Sequence, residues 1–193
     1  IEIPSDHTSS VERQSNKIVS NLFNSNQIDQ VLKKKLTSYD SVLPKFYALP
    51  KIHKPTLSVR PIVASIGSAT QALSTLVTDI LTSAHQKGEY FINDSFDASE
   101  QFNRLQLPDN HVIASLDVVS LFSNVYLETC LRSISRHWTD IRQFCNMSLD
   151  SFVNIVTFLF NNNHFAFNNK IYKQTFGTPM DAKVSPILAE YVM

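Results

Sequence analysis

The sequence predicts an α+β domain in which helices pack on a small antiparallel sheet. Three observations carry that expectation. Apolar residues recur at helical spacing near both ends, a proline-broken and β-branched stretch lies between positions 42 and 63, and two short runs near the C-terminal end are joined by Asn168-Asn169.

In chain order, Ile18, Val19, Leu22, Phe23, Ile28, Val31, Leu32 and Leu36 fall at helical spacing with an interruption at residues 24–26, so two short helices are expected. Pro44, Pro50, Pro55 and Pro61 then exclude a helix and, with Val59, Ile62 and Val63, favour strands flanking a loop that carries lysines. Beyond Gly67, the stripe Leu73, Leu76, Val77, Ile80 and Leu81 predicts a helix capped by Ser68 and ending before Gly88. A further helix is expected over residues 96–105. Residues 111–119, HVIASLDVV, are short, apolar and β-branched, and read as a buried strand ending in the charge of Asp117. Amphipathic helices follow over 127–138 and 149–160, the second capped by Ser148. HFAFNNKIYKQ reads as a hairpin, because Asn-Asn tolerates the positive φ of a tight turn. A last helix is expected from near Pro186, where proline suits a first turn.

At 193 residues and 43% hydrophobic content, the chain is long enough for one compact domain or a large piece of a bigger protein. A disulfide-stapled peptide and a disordered tail are excluded. Cys130 and Cys145 have no second Cys or His at metal-ligand spacing, which argues against a zinc knuckle or a secreted framework and for a reducing compartment. No apolar run approaches the roughly 20 residues that span a bilayer, so no membrane partner is expected. The chain opens on Ile1 and stops at Met193 inside an apolar run, and is expected to be a fragment of a longer one. Its expected organisation is a helical extension over 1–41, a basic region with helices over 42–110, and a remainder over 111–193.

Formal charge sums to zero, yet its distribution is uneven. Residues 33–66 hold seven cations, Lys33, Lys34, Lys35, Lys45, Lys51, Lys54 and Arg60, against Asp40, a net of +6. Residues 67–128 hold Lys87 and Arg104 against eight acids, a net of −6. Two readings fit: halves that attract one another, or a phosphate-binding strip beside a metal-binding carboxylate. In LPKFYALPKIHKPTLSVRPIVAS the cations interleave with Phe46 and Tyr47, the mixture of a surface that meets phosphates and stacks on bases, although a solvated basic loop would read the same way. Arg60 stands out because a guanidinium grips phosphate bidentately and stacks on planar bases. Asp117 is either a strand-end turn cap or a ligand for Mg²⁺, which takes hard oxygen donors. Ser120, Cys130 and the histidines lack nucleophile-plus-base spacing, so a hydrolase has little support.

Taken together, FYALPKIHKP with RPIVASIGS, then SLDVVSLFSNV, then YKQTFGTPM followed by VSPILAEYVM, resemble the reverse transcriptase domain of Penelope-like retroelements, relatives of telomerase reverse transcriptase. The resemblance runs from about residue 42 to the C-terminal end. It implies the fingers and partial palm of a right-hand polymerase, an RNA-directed DNA polymerase that takes an RNA template, a DNA primer and a dNTP, and a nuclear location. Under it, Lys51, Lys54 and Arg60 lie near the triphosphate, Asp117 and the carbonyl of Val118 hold Mg²⁺, and Phe122 is the gate against a ribose 2′-OH. Gln174, Gly177, Met180 and Asp181 match the second palm motif beside the nucleotide.

Two departures bear on that implication. Relatives usually read Pro-Met-Gly-Ser where this chain has Pro179, Met180, Asp181 and Ala182, and Asp181 adds a negative charge beside a polyanion. The third palm motif, with its paired aspartates, does not occur in these 193 residues, nor do the thumb and the endonuclease domain of many relatives. A single carboxylate does not balance two divalent cations and a triphosphate, so no polymerase activity is expected from residues 1–193 alone. The alternative is a decayed or repurposed nucleic-acid-binding module without polymerase activity.

Overall fold

The computed structural model describes residues 1–52, 58–85 and 92–193, and these divide into two compact units, one of Ile1–Ala84 with Ser120–Met193, the other of His85–Val119. In the first unit a short strand, β1 (Glu2–Ile3), precedes α1 (Thr8–Asn24). Asp6 starts that helix by accepting from the backbone N–H of Thr8 at 2.7 Å, and Asp29 starts α2 (Gln30–Leu36) by accepting from Leu32 N–H at 2.7 Å. The interruption read at residues 24–26 is a turn closed by Asn26 at φ +56°.

The prolines and β-branched residues form β2 (Lys45–Pro50) and β3 (Val59–Ala64), antiparallel from Lys45 opposite Ala64 to Pro50 opposite Val59. Next comes α3 (Gln71–Ala84). Ser68 does not cap it through a backbone N–H; its hydroxyl lies 3.2 Å from that of Thr70. In the second unit, α4 (Ser95–Arg104) is capped by Asp94, which accepts from Phe96 and Asp97 N–H groups at 2.9 Å each. The first unit resumes with a 3₁₀ turn at Leu121–Asn124, then α5 (Leu127–Arg136), α6 (Trp138–Ile141), and α7 (Leu149–Asn161) capped by Ser148. The hairpin β4 (His164–Phe167) and β5 (Lys170–Lys173) turns through Asn168 and Asn169 at φ +49° and +59°, the left-handed pair such a turn requires. Last is α8 (Val184–Val192).

The α+β class is borne out. The sheet, in the order β1-β5-β4-β2-β3, is mixed rather than purely antiparallel: β2 meets β4 in parallel, Lys45 opposite Ala166, with Ala166 N–H donating to the Pro44 carbonyl at 2.7 Å. On one side of the sheet Phe46 packs against Phe165 and Phe167 at 5.6 and 5.1 Å, and Phe165 stacks on Tyr172 at 5.7 Å. The main core lies among the helices, where Val19, Leu73, Leu81, Ile134, Phe152, Ile155 and Leu188 are fully buried. Truncating one of these to alanine removes about 2 to 5 kcal/mol.

The strand expected over residues 111–119 is not formed. Among the described residues no neighbour completes a ladder with this segment, and its side chains are exposed, Leu116 at 96% and Val112 at 88%. Strand propensity without a partner to accept the backbone hydrogen bonds does not make a strand. Asp117 therefore lies on exposed, irregular backbone rather than at a buried strand end. No helix among the described residues is long and apolar enough to cross a membrane.

One junction of the first unit brings two imidazoles together. The rings of His7, ahead of α1, and His164, in β4, stack with centroids 5.8 Å apart. Burial holds His164 below the usual imidazole range, Lys173 and His7 push the same way, and the backbone of Asn162 and Asp6 oppose them. A folded value below the unfolded one, near 6.5, means that the folded chain binds fewer protons, so this stabilisation is full above about pH 6.5 and is lost as pH falls through that value. Urea midpoints are therefore expected to drop between pH 7.5 and pH 5, with a smaller drop in His164→Phe; equal pH dependence in the two proteins would contradict this.

Candidate functional site

Gly177 adopts φ +67°, a conformation that glycine takes at no steric penalty. It also has no room for a side chain: a Cβ built there would stand 2.3 Å from the Phe122 carbonyl oxygen and 2.6 Å from Ser123 Cα. The next residue, Thr178, is buried and donates its backbone N–H to the same Phe122 oxygen at 2.8 Å. Two segments more than 50 residues apart thus meet backbone to backbone, the turn Leu121–Asn124 beneath the loop that leads to α8.

Buried hydroxyls fix that loop from the other side. Ser185 Oγ donates to the Pro179 carbonyl at 2.7 Å, and Val184 N–H donates to Ser74 Oγ of α3 at 3.3 Å. Ser65, one residue past β3, donates its hydroxyl to the Asp181 carbonyl at 3.1 Å. Asp181 itself is exposed, and its φ is not positive. The backbone at 181 therefore does not itself call for glycine. Gln174 shapes the entry to the loop, donating Nε2 to the Phe176 carbonyl at 2.7 Å and its backbone N–H to Asn163 at 2.8 Å.

Of the residues singled out from the sequence, the first unit brings Phe122, Gly177 and Asp181 into one connected backbone arrangement, with Met180 half-buried beside them in the loop. Phe122 is half-buried and packs against the main core. Arg60 is exposed on β3, and the five residues from it to Ser65 span about 16 Å of extended backbone. Lys51 is half-buried at the hairpin end, its N–H donating to Ser58 at 2.8 Å. Lys54 lies outside the described residues. Asp117 and Val118 belong to the second unit, where both are exposed.

Thr178, Ser65, Ser74 and Ser185 were not singled out as site residues. Ser65, Thr178 and Ser185 fall within RPIVASIGS, YKQTFGTPM and VSPILAEYVM, but a small hydroxyl beside a glycine, a strand end or a helix start is too common a pattern to select any of the four.

Mg²⁺ asks for about six oxygen ligands. Asp117 and the Val118 carbonyl offer two kinds of oxygen donor, and among the described residues no three His, Cys, Asp or Glu side chains gather as a metal site. These donors do not by themselves fit a two-metal centre. Cysteine chemistry is also disfavoured, because burial pushes the Cys130 thiol up to about 12 and raises that of Cys145.

Compared with protein-family models, curated proteins and solved structures, the chain matches none.

Substituting Gly177 by alanine is expected to cost about 2 to 5 kcal/mol, from left-handed backbone strain plus overlap with the Phe122 carbonyl. Urea unfolding measures it. A loss below about 1 kcal/mol would show that the two segments do not seat as described.

Proposed function

We propose that this chain is the fingers and partial palm of an RNA-directed DNA polymerase of the Penelope-like kind, holding an RNA template, a DNA primer and the incoming dNTP. One observation carries the reading. The two segments that resemble successive palm motifs, remote in sequence, are joined through Phe122, Gly177 and Thr178, and a residue at the end of the basic hairpin, Ser65, is bonded to the same loop. A surface so built offers backbone and small side chains to a flat base, with the cations of the hairpin for phosphates.

In this reading Lys51 and Arg60 neutralise phosphate, Phe122 excludes the 2′-OH, and Gln174, Gly177 and Met180 shape the wall beside the base. Residues 1–193 bind substrates and leave the reaction incomplete, because a second carboxylate cluster has to come from elsewhere. A nucleic-acid-binding module without polymerase activity is the second reading. The charge of Asp181, exposed on the loop that would face a triphosphate, favours it.

Affinity of the chain for a primer–template duplex is expected to fall linearly with salt on a log–log plot, and Lys51→Ala and Arg60→Ala are each expected to reduce the slope by about 0.7 to 0.9. A salt-independent affinity would defeat both readings. In a protein extended through an aspartate hairpin, Asp181→Gly with Ala182→Ser is expected to raise primer extension by roughly tenfold or more, since like charges about 4 Å apart cost roughly 1 to 4 kcal/mol. Extension in the unsubstituted protein equal to that of the pair would show that Asp181 does not oppose the nucleotide, and binding without extension in either would favour the second reading.

A further inference from the structure

Antiparallel register places Lys45 opposite Ala64, Tyr47 opposite Ile62 and Leu49 opposite Arg60. Residues directly opposed across two strands share a face, and successive residues of one strand alternate between faces. Lys45, Tyr47, Leu49 and Arg60 therefore stand on one side of the hairpin, and Phe46 on the other. Phe46 is engaged there by Phe165 and Phe167. Tyr47 has no such engagement: it is 45% exposed and, among the described residues, meets no aromatic ring or hydrogen-bond partner. Lys45 and Arg60 are exposed as well, and neither strand carries an acid.

A half-exposed tyrosine ring between two cations, with about 7 Å between alternate side chains of a strand, matches a flat base strung between phosphates. The charge of the face rules against an acidic partner's opposite, a basic protein surface, and favours a polyanion. We infer that Tyr47 is a base-stacking residue. Its ring takes an unpaired base of a single-stranded nucleic acid, while Lys45 and Arg60 meet the flanking phosphates. This rests on the nucleic-acid reading above and adds to it a contact that is not ionic. Every base has a π-face, so the platform tolerates sequence, and RNA and DNA both suit it.

Fluorescence anisotropy of the 193-residue chain with a labelled single-stranded 12-mer, as RNA and as DNA, across a series of salt concentrations, separates the two contributions. Tyr47→Ala is expected to weaken binding roughly 5- to 100-fold with the salt slope unchanged, and Tyr47→Phe to retain it. Arg60→Ala is expected to reduce the slope by about 0.7 for a single strand. The unsubstituted chain should bind an oligomer with abasic sites about as weakly as Tyr47→Ala binds the intact one, and the comparison of the two oligomers on the unsubstituted chain does not depend on how the variant folds; equal binding of the two oligomers would overturn the stacking role. Should Tyr47→Ala match the unsubstituted chain on the intact oligomer while Arg60→Ala weakens it, the stacking role is overturned and the basic-strip reading survives. Absence of salt-dependent binding by the unsubstituted chain would overturn both.

Discussion

The Phe122 carbonyl is the point on which the first unit's arrangement turns. It accepts the backbone N–H of Thr178 at 2.8 Å, and only a residue without Cβ, in a left-handed conformation, lets the chain come close enough for that bond to form. From this contact the loop at 177–183 inherits its height above the turn Leu121–Asn124. Ser185 and Ser74 then hold the start of α8, and Ser65 ties the loop to the end of β3. Each of these is a neutral hydrogen bond, worth about 1 kcal/mol individually, and the one from Ser65 to Asp181 is exposed, so the arrangement depends on their acting together.

Electrostatics adds what the hydrogen bonds do not. The hairpin β2–β3 carries Lys45 and Arg60 with no acid in either strand. Aromatic packing anchors the base of that hairpin, Phe46 among Phe165 and Phe167, while Lys45, Tyr47 and Arg60 on the opposite face are exposed. In the proposed function this exposed cationic face would position a nucleic-acid strand, because phosphate contacts fix position while side chains facing the bases discriminate.

Local signals made much of the fold legible. The stripe in α3, the cap at Ser148 and the left-handed Asn168-Asn169 turn each depend on neighbours within a few residues, and each is where the pattern puts it. What depended on distant partners was not legible. β1 exists only because β5 lies beside it, Glu2 opposite Tyr172, and the parallel contact of Lys45 with Ala166 has no sequence signature. The run at 111–119 has every local mark of a strand and lacks a neighbour to pair with among the described residues. The same division holds for the candidate site. Gly177 and Phe122 were picked out through resemblance to a family, whereas the hydroxyls that fix their geometry carry no local mark.

The most direct test is photocrosslinking from a primer–template whose next template base is unpaired, in the presence of a photoreactive dNTP, with the modified residues mapped by mass spectrometry. Crosslinks to Arg60, Phe122 or residues 174–181 that appear only when the dNTP matches the template base are the expected result. Crosslinks confined to other elements, or a pattern indifferent to the template base, would contradict a templated nucleotide site in this chain.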